Sequence, residues 1–414
     1  MHAWRTLCFG VPMLSVWVSG CATFLSLFGV ISLFTIALCT WLHLRSSKVS
    51  ELADDEILPP VSLLKPIKGM EEELEANLLS FFELEYPAFE LIFVAPSDED
   101  PGLDVARRLA ARHPQVPVRW ARPVLGFGKN PKVSQLEGAL RMASHDLVLQ
   151  TDANVRVPRD YLRRIVSEFL SQGASLLSSL VVGKGEASLG AAVENIQLSA
   201  VIAPGCCFAL RAAQVPCVVG KSMLFRQSEL KAIGGFEIVK DVLAEDFLLG
   251  DAFRRAGKKV VISATPIANI NVHAPLSHFL KRHARWLQMR AVIHPPAFLG
   301  DLLANPFPFA LLGMIGSGFA LKSVLWSLLV LVFKTTTDRW LLFLTRGEKI
   351  AWKWAIATPI HDMMLFFLFF YAACVRKVEW RGLRFRLGKG SLLKPLLDSP
   401  PDREPPLPTL AQAN

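Results

Sequence analysis

Charge is missing from long parts of this chain. No Lys, Arg, Asp or Glu occurs between Arg5 and Arg45 or between Asp301 and Lys322, and Trp354 to Val375 carries only Asp362. With 52% hydrophobic and 20% charged residues overall, a chain of 414 residues is neither disordered, nor collagen-like, nor a small disulfide scaffold, and an ordinary soluble enzyme is a poor fit. Cysteine chemistry is lacking too: Cys206, Cys207 and Cys217 have no metal-site spacing, and Cys21, Cys39 and Cys374 lie in apolar stretches, so they read as small buried hydrophobes. A basic groove with interleaved aromatics is also absent, so no nucleic-acid partner is expected.

What is present is an apolar chain with a water-soluble middle. The first apolar stretch exceeds the roughly 20 residues a span needs and reads as a retained anchor rather than a cleaved signal, whose apolar core would be only about 7 to 15 residues. Phe307 to Phe333, interrupted only by Lys322, and Trp354 to Val375 are two further candidate crossings. A re-entrant hairpin is the alternative, because Lys334, Arg339, Arg346 and Lys349 of the connection would sit on the disfavoured side. The formal net charge is +9, and Arg376, Lys377, Arg381, Arg384, Arg386, Lys389 and Lys394 face only Glu379 directly after the last apolar segment. That is the positive-inside pattern of a cytosolic tail. The expected organisation is an anchor over 1–45, a catalytic domain over 46–304, membrane segments over 305–376, and a basic then Pro-rich tail over 377–414.

Within the middle, apolar β-rich runs alternate with helical patterns. Strands are expected at Val61–Leu64, Leu91–Ala95, Val116–Trp120, Leu147–Gln150 and Leu176–Val181. Helices are expected at Glu71–Leu84, Leu103–Arg112, Pro131–Met142 and Arg159–Leu170. This predicts an α/β domain with a mostly parallel sheet, in which ligands meet the carboxyl ends of strands.

Polar residues cluster at those ends. Asp98 and Asp100 follow the second strand, where an acidic helix N-cap is the plain structural reading. Asp152 and Asn154 follow the fourth, spaced to offer a divalent cation two oxygens. Gly126 to Lys132 precedes a helix and offers backbone N–H groups, Lys129 and Lys132 to phosphate oxygens, although it lacks Walker spacing. Gly220-Lys221-Ser222 lacks that motif as well and sits in an apolar, strand-like context. Glu245 and Asp246 open a helical pattern, and Arg282, Arg285 and Trp286 lie in a basic amphipathic stretch that could rest on anionic lipid.

Taken in order, Pro60–Pro66, Asp98-Glu99-Asp100, Gly128-Lys129-Asn130-Pro131-Lys132, Thr151 to Val157, Gly234-Gly235-Phe236, Ala244-Glu245-Asp246 and Arg282–Trp286 resemble the ceramide glucosyltransferase family, a branch of inverting family 2-like glycosyltransferases. The resemblance covers most of Pro59–His294 and implies a GT-A fold binding a UDP-sugar. By that resemblance Asp98 or Asp100 faces the uridine, and Asp152 binds the metal-diphosphate unit, with Mg2+ or Mn2+ held by Asp152 and Asn154. Asp246 is the general base, Lys132, Arg282 and Arg285 act on the diphosphate, and Trp286 stacks near sugar or acceptor. The implied reaction is transfer of glucose from UDP-glucose to the primary hydroxyl of ceramide, a membrane-lipid acceptor, at the cytosolic leaflet. The hopanoid N-acetylglucosaminyltransferases share the same frame and give the runner-up; a processive polysaccharide synthase, which carries Gln at the Arg282 position, and an inactive membrane scaffold follow.

Overall fold

The computed structural model describes residues 5–46, 58–380 and 383–396; Arg381 and the Pro-rich end of the expected tail lie outside them. Eight strands form one sheet: β1 (Val61–Pro66), β2 (Phe89–Val94), β3 (Val118–Ala121), β4 (Leu147–Thr151), β5 (Val155–Arg156), β6 (Leu176–Lys184), β7 (Ser222–Arg226) and β8 (Val260–Ile270). Their order is β3-β2-β1-β4-β7-β6-β8-β5. The first four are parallel, β7 runs antiparallel to both β4 and β6, and β6 and β8 are again parallel.

β1 and β4 are buried at every position, as unalternating apolar runs must be when both faces of a sheet are covered. Leu63, Phe93 and Leu149 face one core with Leu78, Phe81 and Ile165, whereas Leu64, Ile92 and Val148 face the other with Val133, Leu136 and Phe225. The four helices expected between strands are present at Leu74–Phe82, Pro101–Arg112, Pro131–Arg141 and Tyr161–Ser171. Together with the apolar helices at both ends of the described chain, this is the expected α/β domain with a sheet parallel over β3-β2-β1-β4.

Among the described residues, three helices are long and apolar enough to cross a membrane: Ser15–Ser46, Leu189–Ala213 and Trp352–Cys374. The second was not foreseen. The Phe307–Phe333 stretch is not one helix. It divides into Pro306–Gly316 and Leu321–Arg346, and the turn between them holds Gly318 and Phe319 at φ +64° and +62°, values no α-helix adopts. Pro306–Gly316 in turn forms a pair bent by 57° with Pro295–Leu303. Asp362, the lone acid of the last apolar segment, is buried against Lys334 at 3.1 Å, and its neighbour His361 meets Gln197 at 2.6 Å. Leu33 and Ala37 of the first helix share a core with Ile196, Phe279 and Leu341, which fixes the apolar helices to the α/β domain.

The stretch read as a tail carries a second sheet, β9 (Lys377–Trp380), β10 (Leu383–Leu387) and β11 (Leu393–Pro395), ordered β11-β10-β9. Val378, Phe385, Leu387 and Leu393 pack with Leu243 of the α/β domain.

Candidate active site

The site forms where β4 ends beside the start of β7. Their antiparallel register pairs Thr151 with Ser222, so the next residue on one strand meets the preceding residue on the other: Asp152 meets Lys221. Lys221 Nζ lies 2.9 Å from Asp152 Oδ2 and donates to Asn154 Oδ1 at 2.6 Å. Lys132 Nζ takes the other carboxylate oxygen, Oδ1, at 2.9 Å and also reaches Glu245 Oε1 at 3.1 Å.

Lys132 is aimed by its helix start. Asn130 is the N-cap of Pro131–Arg141, its Oδ1 accepting from Lys132 N and Val133 N at 3.0 and 3.2 Å, with Pro131 at the position where a missing N–H does no harm. The same Asn130 donates to the Val242 carbonyl at 2.8 Å, and Lys129 N donates to Asp241 Oδ1 at 3.0 Å. The expected phosphate-binding loop is thereby attached to the segment that carries Glu245 and Asp246. Gly128, at φ +143°, is needed here because a Cβ would stand 2.6 Å from the Lys240 carbonyl.

Asp246 opens the helix Glu245–Arg255 and accepts from Gly220 N at 2.6 Å through Oδ2 and from Phe247 N at 2.8 Å through Oδ1. Burial and the neighbouring Glu245 carboxylate push its pKa up to about 6, against the opposing charge of Lys132. Asp152 goes the other way: burial opposes its ionisation, but Lys132 and Lys221 overcome this and hold it far below the usual carboxylate range. Two carboxylates in one site thus differ in proton affinity, the arrangement that separates a proton acceptor from a fixed charge.

Lys65 belongs to the site and was missed. It is fully buried in β1, donates to the Asp152 carbonyl at 2.7 Å, and lies 3.6 Å above the Phe81 ring. Burial, offset in part by Asp152, lowers its pKa to about 7. The available signal was a lysine at the carboxyl end of an otherwise apolar strand. Lys221 sits in an incomplete Walker pattern, and only the β4–β7 register brings it to Asp152.

Arg282, Arg285 and Trp286 share the helix Leu276–Ile293. Arg282 is buried and ion-paired with Glu194 Oε1 at 2.9 Å, with its guanidinium 4.8 Å from the centre of the Trp286 ring. His283 Nε2 meets the other Glu194 oxygen at 2.9 Å and the Trp286 ring edge-on at 5.1 Å. Glu194, an acid inside the apolar helix Leu189–Ile196, was also missed. Burial and then Arg282 lower the pKa of His278, with smaller contributions from Arg285 and Lys221 and against the charge of Glu194.

The two expected uridine positions separate. Asp100 is the N-cap of Pro101–Arg112, its Oδ1 accepting from Gly102 N at 2.9 Å and both oxygens from Gly69 N at 2.9 Å. Asp98 is exposed and paired with Arg122. Neither touches the Asp152 cluster.

No group of three or more His, Cys, Asp or Glu side chains placed to hold a metal ion exists among the described residues. Asp152 and Asn154 offer one carboxylate and one amide, and their oxygens already accept from Lys132 and Lys221. A divalent cation held at Asp152 and Asn154 would displace those ammonium contacts and would take its remaining ligands from water and from the diphosphate of a bound donor.

Residues 24–393 match the model for glycosyl transferase family 21. The chain is 24% identical over 391 residues to ceramide glucosyltransferase 3 of Caenorhabditis elegans, covering 90% of this chain and 83% of the relative. It is 30% identical over 242 residues to ceramide glucosyltransferase 1 of the same organism, 58% of this chain and 52% of that protein. A Komagataella phaffii ceramide glucosyltransferase is 28% identical over 56% of each chain. Among solved structures, mannosyltransferase PcManGT from Pyrobaculum calidifontis, in complex with GDP-Man and Mn2+, matches at 18% identity and a TM-score of 0.49, covering 83% of this chain and 99% of its own. The chain belongs to glycosyl transferase family 21 and is a glycosyltransferase.

Proposed function

We propose that this protein transfers glucose from UDP-glucose to the primary hydroxyl of ceramide, with inversion, at the cytosolic leaflet of its membrane. The supporting observation is the placement of Asp246, with a pKa near 6, beside a carboxylate held between two ammonium groups. In an inverting transfer the acceptor O–H gives its proton to a carboxylate while the oxygen bonds to the anomeric carbon from the face opposite UDP. The bond from that carbon to the diphosphate breaks, and the electron pair leaves with UDP. Asp246 is assigned the proton. Lys132, Lys221, Arg282 and Arg285 offset charge on the departing diphosphate, and fixed placement of both reactants supplies the rest.

Family membership and the relatives named ceramide glucosyltransferase support the lipid acceptor, as do the helices long and apolar enough to cross a membrane. The basic segment from Arg376 to Lys394 supports a cytosolic site.

The test is to supply the purified chain with UDP-glucose and ceramide-bearing vesicles and to follow UDP release and lipid products by mass spectrometry. A hexosylceramide is expected, with Asp246→Asn slower by roughly 10²- to 10⁴-fold while still binding UDP. Near-normal transfer by that variant would overturn the assignment of the base. In a parallel assay with UDP-N-acetylglucosamine and hopanoid-bearing vesicles, faster formation of a hexosamine-bearing hopanoid would overturn the donor and acceptor.

A further inference from the structure

The second sheet has two faces of opposite character. Val378, Phe385, Leu387 and Leu393 point inward to Leu243, while Lys377, Arg386 and Lys394 are exposed on the other side. Arg386 pairs in register with Lys377 on β9 and with Lys394 on β11, so three cationic side chains stand in one row across the three strands. Among the described residues none of the three has an ion-pair partner. Like charges directly opposite one another destabilise a strand pair, and this small sheet contains two such juxtapositions. An anion bound along the row would remove that repulsion.

Position identifies the anion. Lys377 lies three residues beyond Cys374, the end of the last apolar helix, so the row is tethered where that helix leaves the bilayer. A headgroup layer there is a fixed array of negative charge, whereas a free phosphate would have to order itself against three separate side chains. We propose that Lys377, Arg386 and Lys394 form a docking face for anionic phospholipid headgroups at the membrane surface.

The back of the same sheet connects this face to the active site. Leu243 N donates to the Ser391 carbonyl at 3.0 Å, Leu393 N to the Asp241 carbonyl at 2.9 Å, and Ala244 N to Ser391 Oγ at 3.2 Å. Glu245 and Asp246 follow directly. A lipid on the outer face therefore steadies the segment that carries them.

The test uses the full chain in a neutral maltoside detergent, titrated with short-chain phosphatidylglycerol while thermal unfolding is followed. Phosphatidylglycerol raises the unfolding temperature, and phosphatidylcholine of the same chain length does not. With each basic residue near a membrane surface worth about a fivefold change in affinity, Lys377→Gln/Arg386→Gln/Lys394→Gln binds roughly hundredfold more weakly, and Arg386→Gln alone several-fold more weakly. Raising salt to about 1 M, where screening acts within roughly 3 Å, removes the effect. Equal affinity of the wild type and the triple variant overturns the proposal. So does displacement of phosphatidylglycerol by an equal concentration of inorganic phosphate, which would make the row a free-phosphate site.

Discussion

Gly220 and Asp246 stand closer than any side chain at position 220 would allow. The Gly220 amide donates to Asp246 Oδ2 at 2.6 Å, and a Cβ built on Gly220 would lie 2.9 Å from that same oxygen. Gly220→Ala must therefore rotate or displace the carboxylate, while the adjacent Lys221 keeps its pairing with Asp152 across the β4–β7 register. Transfer should fall by about 10²-fold, the loss associated with misplacing a reacting group by about 1 Å. UDP affinity should change by less than about threefold, as read by titration calorimetry. A parallel loss of UDP binding would show that position 220 shapes the donor pocket instead.

The pH dependence of transfer follows from the same carboxylate. A general base works only when deprotonated, so a group titrating near pH 6 makes the rate rise with pH through about 6 and then level off. Lys132 opposes the upward shift of the Asp246 pKa, so Lys132→Met should move the midpoint of the rate–pH profile to higher pH and weaken donor binding. For stability the sign is reversed. Because Asp246 holds its proton to higher pH folded than unfolded, its contribution favours the native state at low pH. That contribution is lost as pH rises from about 4 to about 6. An unchanged profile in Lys132→Met would separate Lys132 from the base.

How far the sequence showed this site depends on whether a relation is local or tertiary. β1 and β4 are legible because consecutive apolar residues covered on both faces need no partner to be recognised. β8 is not, because Ser263, Thr265, Pro266 and Asn269 interrupt its apolar run, although Ser263 and Asn269 are fully buried beside β6. Asp152 and Asp246 were visible as acids at element ends. The ammonium groups that distinguish their proton affinities arrive from β1, β7 and the Asn130-capped helix, by registers and close approaches with no local signature. The same holds for Phe307–Phe333, where apolarity suggested continuity and Gly318 with Phe319 at positive φ ended the helix.

Glu194 gives a prediction that separates positioning from contact with substrate. It is fully buried and holds both Arg282 and His283, so Glu194→Gln leaves the Arg282 guanidinium without its counter-charge. Removing one partner of a buried pair destabilises by about 3 to 5 kcal/mol, which should be evident as a lowered unfolding temperature. In protein that remains folded, Arg282 is free to reorient and kcat should fall by about tenfold or more with little change in UDP-glucose KM. Retained kcat would mean that Glu194 serves stability alone.

The docking of the second sheet can be tested through its buried side. Leu393 is fully buried against Leu243, and Ser391 beside it is held at φ +62°, a conformation that non-glycine residues seldom adopt, while it accepts from Leu243 and Ala244. Leu393→Asp would place a charge in that contact and release the sheet, whereas Ser391→Ala removes only the bond to Ala244 N and leaves a buried donor unpaired, worth about 1 to 3 kcal/mol. Both variants loosen the segment leading to Glu245 and Asp246 without touching Lys221. Transfer should therefore fall by roughly tenfold in Leu393→Asp and by a few-fold in Ser391→Ala, with UDP affinity preserved in each. Full activity in Leu393→Asp, with the sheet shown to be released by its susceptibility to protease, would mean that Asp246 is held by Gly220 and Phe247 alone.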